Sequence, residues 1–197
     1  MAAALPDAVQ AAKTPIEVWR QDEARVGQQG ALTYVRADKG SRPAALRGQR
    51  RQPASLFGAV CAAAEQRSQR DRGVGAAWVL PHAKAEAMSR HLAEISRHVA
   101  TGAHAAVVLD GAGWHQTGGR LKVPGNVSLL RLPPCSPELN PQENLWQRLR
   151  QNQLSNRVFA TCDTIAAACC TAWKALMASP DRIRSIATRA CTKPVKA

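Results

Sequence analysis

The sequence predicts an α/β fold with a mixed central sheet flanked by helices, and three observations carry that prediction. Hydrophobic periodicity runs in the order three strands, helix, strand, strand, then helices, which is a layered α/β pattern. The run Ala105-Ala106-Val107-Val108-Leu109 is apolar without interruption, as suits a central strand buried on both faces. The chain has 197 residues and is 45% hydrophobic, enough for one domain with a single core and against wholesale disorder.

Taken in order, residues 1–15 are Ala-rich, end in Thr14-Pro15 and read as a flexible lead-in. Residues 16–22 read as a strand ending in acid at Asp22, and residues 32–35 as a partner strand after turn signals at Gly27 and Gly30. The stretch 36–53 is rich in Arg, Pro and Gly and reads as an exposed basic loop. Residues 56–61 and 76–80 are apolar strand candidates, separated by a polar, Arg-rich hairpin loop. Over 84–99, Met88, Leu92, Ile95 and Val99 recur at helical spacing. After the central strand at 105–110, residues 127–132 form another strand closed by Pro133-Pro134. Asn140-Pro141 opens a helix, with Asn at the cap and Pro in the first turn; Leu145, Trp146 and Leu149 are its apolar stripe. Ile165, Cys169, Ala172, Trp173 and Leu176 mark a further helix, and Ser179-Pro180-Asp181 caps a last one. The expected organisation is a flexible lead-in at 1–15, one α/β domain at 16–178, and a C-terminal helix and tail at 179–197.

Charge points to the partner. Lys and Arg number 27 against 14 Asp and Glu, a formal net charge of +13. Such an excess favours a polyanion, and nucleic acid ahead of a membrane surface. No apolar run approaches the roughly 18 residues of a membrane span, and residues 1–12 lack a basic segment followed by an apolar one. The expectation is a soluble cytoplasmic protein. Six cysteines form no Cys-x-x-Cys pair, so they read as reduced thiols and not as zinc ligands.

Three carboxylates stand out by position. Asp22 closes the first strand, Asp110 closes the central strand, and Glu143 lies in the first turn of the helix that Asn140-Pro141 opens, 33 residues after Asp110. If the first and central strands are neighbours, their C-terminal ends bring Asp22 and Asp110 to the crevice where open α/β sheets bind ligands. A third carboxylate would complete an oxygen cage suited to Mg²⁺ or Mn²⁺. Two such ions roughly 3.5–4 Å apart can activate a water or a 3′-hydroxyl and stabilise the leaving oxygen of a phosphodiester. Each acid also has a plainer reading. Asp110 fits a turn residue, Asp22 beside Glu23 fits a solvated edge, and Asn140-Pro-Gln-Glu143 fits a capping box.

The stretches Gln21-Asp22-Glu23-Ala24-Arg25-Val26-Gly27-Gln28, Val107-Val108-Leu109-Asp110-Gly111-Ala112-Gly113-Trp114-His115 and Ser136-Pro137-Glu138-Leu139-Asn140-Pro141-Gln142-Glu143-Asn144-Leu145-Trp146 resemble a DDE transposase. The likeness is to the bacterial insertion sequence 630 family within the Tc/mariner superfamily, and covers most of residues 16–190 in the family's order. It implies a ribonuclease-H-like fold for a catalytic domain at 16–178, with Asp22, Asp110 and Glu143 as catalytic, metal-holding residues, in a bacterial protein associated with the nucleoid when on DNA. It also implies two Mg²⁺ ions, with Mn²⁺ as a substitute, double-stranded DNA (transposon ends and target) as substrate, and a homodimer that pairs two ends. Arg25, Arg42, Arg47, Arg50, Arg51 and His115 become candidate DNA contacts, although a structural role for His115 stays open.

Departures from the family pattern set the alternatives. Only 21 residues precede Asp22, too few for the helix-turn-helix modules that read transposon ends. A separate or frameshift-fused helix-turn-helix chain would supply that function, or the chain is a truncated remnant. Arg20, Arg36 and Pro53 stand where relatives carry apolar or aromatic residues. Besides a transposase catalytic domain, a non-catalytic DNA-binding remnant and a ribonuclease-H-type nuclease without strand transfer both remain open.

Overall fold

Five strands make one sheet in the order β3-β2-β1-β4-β5. The computed structural model describes residues 6–7, 14–27, 33–44, 53–61, 73–113, 120–133 and 140–187. Strands β1 (Ile16–Gly27), β2 (Pro53–Cys61) and β3 (Val74–Leu80) form an antiparallel meander. On the other side of β1, β4 (His104–Leu109) and β5 (Val127–Arg131) run parallel to it. The sheet is therefore mixed, with β1 at its centre.

Strand alternation divides the core into two layers. Trp19 of β1 points to one face with Phe57, Ala59 and Cys61 of β2, under α1 (Ala85–His98) and its buried Met88, Leu92 and Ile95. Ala24 and Val26 point to the other face with Leu56 and Val60, under α2 (Gln142–Leu149), α3 (Cys162–Met177) and α4 (Pro180–Ala187). Each of these large side chains contributes roughly 1.5–3 kcal/mol by leaving water. Helix α1 keeps the predicted stripe, although Val99 becomes its C-terminal cap. Helix α3 starts at a reciprocal cap: the Thr161 hydroxyl accepts from the Thr164 amide, and the Thr164 hydroxyl accepts from the Thr161 amide. Helix α2 ends in a wider, π-type turn over Arg150–Leu154.

Two expectations need correction. Residues 33–35 are not a strand; Tyr34 and Val35 are exposed, and the backbone N–H and C=O of Thr33 are both held by the Asn156 side-chain amide, at 3.2 Å each. The partner of β1 is β2 instead. Nor does Asp22 end its strand: β1 continues to Gly27, because β2 goes on pairing with it as far as Gly27↔Pro53. The remaining elements fall where their periodicity places them, within a few residues at each end. Cys61, Cys162, Cys169 and Cys170 are not joined in disulfides; Cys135 and Cys191 lie outside the described residues.

Candidate active site

The sheet's own topology makes the cleft. Parallel pairing between β1 and β4 runs from Ile16↔His104 to Arg20↔Val108, and β4 then ends at Leu109. Beyond that point β1 keeps its β2 neighbour but loses β4, so a gap opens beside it. The same register carried two residues further sets Asp22 alongside Asp110. Both line one open cleft of about 640 Å³, together with Arg25 from β1 and His82 and Lys84 from the turn before α1. This is the crevice at the carboxyl ends of parallel strands where such sheets bind ligands.

Asp22 is held at both oxygens. Its Oδ1 accepts the Glu23 backbone N–H at 2.9 Å, and its Oδ2 accepts the Trp146 indole N–H at 3.0 Å. Burial pushes its pKa from the ordinary 3.8 up to about 6; the two hydrogen bonds oppose that rise, while the negative charges of Glu23 and Asp110 add to it. Asp110 is exposed, and its Oδ1 accepts the Ala112 backbone N–H at 3.1 Å. The aspartate thus serves as a turn residue and as a cleft carboxylate at once; the two readings are compatible.

Glu143 sits in the first turn of α2 and is exposed. Helical spacing puts it on the same side as Trp146, three residues on, but it does not line the cleft with the two aspartates. Among the described residues no group of three His, Cys, Asp or Glu side chains gathers as a ready metal cage. The helix start is organised by Asn140 instead. Its Oδ1 accepts the Gln142 backbone N–H at 3.2 Å, and its Nδ2 donates to the Gln21 carbonyl at 3.1 Å, next to Asp22. The N-cap position falls on Pro141, one residue later than the sequence places it, and carries no side-chain cap bond; Asn140 precedes it, turning the chain into α2 and tying it to β1, while Glu143 makes no cap bond among the described residues.

Of the candidate DNA contacts, Arg25 is exposed at the cleft and Arg42 is exposed in the 33–44 segment. Arg47, Arg50, Arg51, Trp114 and His115 lie outside the described residues. Sequence reasoning missed His82 and Lys84 as cleft residues, and read Trp146 only as part of an apolar stripe. Gly58 was also passed over, although an isolated glycine inside an apolar strand signals a close approach.

The donor chemistry fits a hard divalent cation. The Asp22 and Asp110 carboxylates line one cleft, with Glu23 beside them, and offer oxygen donors only. Their mutual repulsion is the kind a cation relieves, and oxygen donors suit Mg²⁺ or Mn²⁺. Cationic Arg25 and Lys84, and His82, line the same cleft, so a phosphate can be held beside the acids.

Residues 17–166 match the family model described as DDE superfamily endonuclease. The uncharacterized protein y4pE/y4sA of Sinorhizobium fredii (strain NGR234) is 52% identical over 136 residues, which is 69% of this chain and 94% of that protein. Among solved structures, the fold is similar to that of the Mos1 mariner paired end complex with Mn, with a TM-score of 0.55 and 13% identity over 88% of this chain and 56% of the Mos1 chain. A Mos1 transposase paired-end complex with left transposon end gives a TM-score of 0.50 and 12% identity over 91% and 57%. The chain thus spans little more than half of the Mos1 chains it matches.

Proposed function

This chain belongs to the DDE superfamily of endonucleases, and from that premise we propose that it is a transposase catalytic domain of the insertion sequence 630 type. In this reading it cuts DNA with water at the ends of a mobile element, and then uses the liberated 3′-hydroxyl to attack target DNA. The observation that carries it is the convergence of Asp22 and Asp110 where the parallel β1–β4 pairing stops. We place the catalytic domain at residues 16–178, with 179–197 as a C-terminal helix and tail whose α4 packs Ile183 into the same core.

Asp22, Asp110 and Glu143 would hold Mg²⁺ or Mn²⁺, two ions in the full site. When bound, the cations supply charge neutralisation at the phosphodiester and a more acidic water or 3′-hydroxyl. Arg25, His82 and Lys84 bind the phosphates on either side of the bond to be cut, and so orient the strand against the two aspartates. The basic surface outside the cleft, including Arg42, holds the rest of the duplex by its phosphates. A homodimer pairing two ends and a separate or fused helix-turn-helix segment reading their sequence complete the assembly. The mariner complexes with paired ends and Mn support this choice of partner and cation.

Asp110→Asn tests the site. Asp110 is exposed and its turn bond to Ala112 can be kept by the Asn oxygen, so the fold should survive. Mg²⁺-dependent nicking of supercoiled plasmid should fall by more than the roughly 10–100-fold typical of residues behind the metal ligands. Nicking at the wild-type rate by the folded variant would overturn the assignment.

A further inference from the structure

Trp146 belongs to the buried stripe of α2, yet one atom of it does chemistry-facing work. Its indole N–H ends on Asp22 Oδ2, 3.0 Å away and 124 residues back along the chain. Directly across the β1–β2 ladder from Asp22 stands Gly58. A Cβ there would lie 2.4 Å from Trp146 Cη2 and 3.0 Å from Cη2 and Cζ3 of Trp173. Gly58 is not among the glycines with positive φ, so its lack of a side chain serves space and not backbone conformation. Trp173 packs against the same ring, with centroids 6.1 Å apart and a 41° tilt, and its edge reaches Gly58 too. The indole is thus seated in a notch at Gly58, with its N–H on Asp22.

We propose that Trp146 is a positioning residue for the cation site, with Gly58 as the notch that admits it. A free aspartate carboxylate rotates about its terminal torsion; here the Glu23 amide holds one oxygen and the indole the other, so the carboxylate plane is fixed. The indole occupies one lone pair and leaves the others to the cleft. The same bond ties α2 to β1, and α2 carries Glu143 one turn earlier. Loss of the N–H therefore loosens the first carboxylate and the approach of the third together. This inference rests on the proposed cation site at Asp22, Asp110 and Glu143.

The test replaces Trp146 by 3-benzothienylalanine, which exchanges the ring N–H for sulfur at nearly unchanged shape, in the full chain. Mn²⁺ is titrated and free ion is counted by its electron paramagnetic resonance signal, at a temperature where thermal melts show each protein folded. Affinity should weaken roughly 10–100-fold, the size expected for groups that orient metal ligands. Trp146→Phe, which keeps an aromatic ring but no donor, should weaken it to a similar degree while also lowering the melting temperature. Mn²⁺ affinity within twofold of wild type in the benzothienyl protein would overturn the proposal. Asp110→Asn, run in parallel, separates the two failures. If it loses Mn²⁺ binding while the benzothienyl protein does not, the role of Trp146 is wrong and the cation site stands. If it binds Mn²⁺ as wild type does, the cation site is wrong and the role of Trp146 falls with it.

Discussion

Gly58→Ala adds one methyl group at the most closely approached of the described glycines. The new carbon would meet Trp146 Cη2 at 2.4 Å, where ordinary contact is 3.4–4 Å, and Trp173 at 3.0 Å. Trp146 is only 3% exposed, so its ring has to retreat by about an ångström inside a packed layer. Overpacking of this kind costs roughly 1–3 kcal/mol. The retreat also stretches the indole bond to Asp22, and hydrogen bonds to charged groups contribute about 1.5–3 kcal/mol. Relief of glycine's extra unfolded-state entropy returns about 0.5–1 kcal/mol. The two losses share one displacement and do not simply add, so the net expected loss is about 2–4 kcal/mol. For a chain of this size that lowers Tm by roughly 4–16 °C. Urea unfolding at neutral pH, followed by tryptophan fluorescence, measures it. A loss below about 0.5 kcal/mol, the range of an indifferent surface change, would show that the ring slides freely and that the notch does not hold it.

Glu143→Gln should leave stability within about 0.5 kcal/mol of wild type, because Asn140 and not Glu143 organises the start of α2; Mg²⁺-dependent nicking should nevertheless be lost, and a stability drop with nicking intact would make Glu143 structural. Asp22 adds a pH dependence. Its folded pKa of about 6 lies above the ordinary 3.8, so the native state binds the proton more tightly. Metal-free stability should therefore fall as pH climbs from about 4 to about 6, by roughly 1–3 kcal/mol, and stay level above. Mn²⁺ competes with that proton, so its affinity should rise over the same window; parallel stability curves for wild type and Asp22→Asn would contradict the burial argument. Duplex binding, measured by fluorescence anisotropy, should weaken steeply with salt. Lys84→Ala should reduce the slope of log K against log salt by about 1 regardless of base sequence, and an unchanged slope would remove Lys84 from the phosphate path.

Much of this molecule is written locally. The apolar stretches at 16–22, 56–61 and 76–80, the continuous run ending at Asp110, and the helical spacing of Met88, Leu92 and Ile95 each reflect burial acting on neighbours in the chain, so they read directly as strands and helices. Asp110 and the helix start at Asn140-Pro141 were legible for the same reason, a strand end and a helix start being short-range features, although the N-cap falls on Pro141 and not on Asn140. The continuation of β1 to Gly27 was not, because it depends on β2, whose paired residues lie about thirty positions later. Thr33 misread as strand likewise, since its backbone groups go to Asn156, 123 residues away. The bond from Trp146 to Asp22 and the close approach of Trp146 to Gly58 follow the same rule. Local periodicity reports which side chains leave water, but not which of them meet; that was decided only when the β1–β2 ladder brought Gly58 across from Asp22 and α2 laid Trp146 over both.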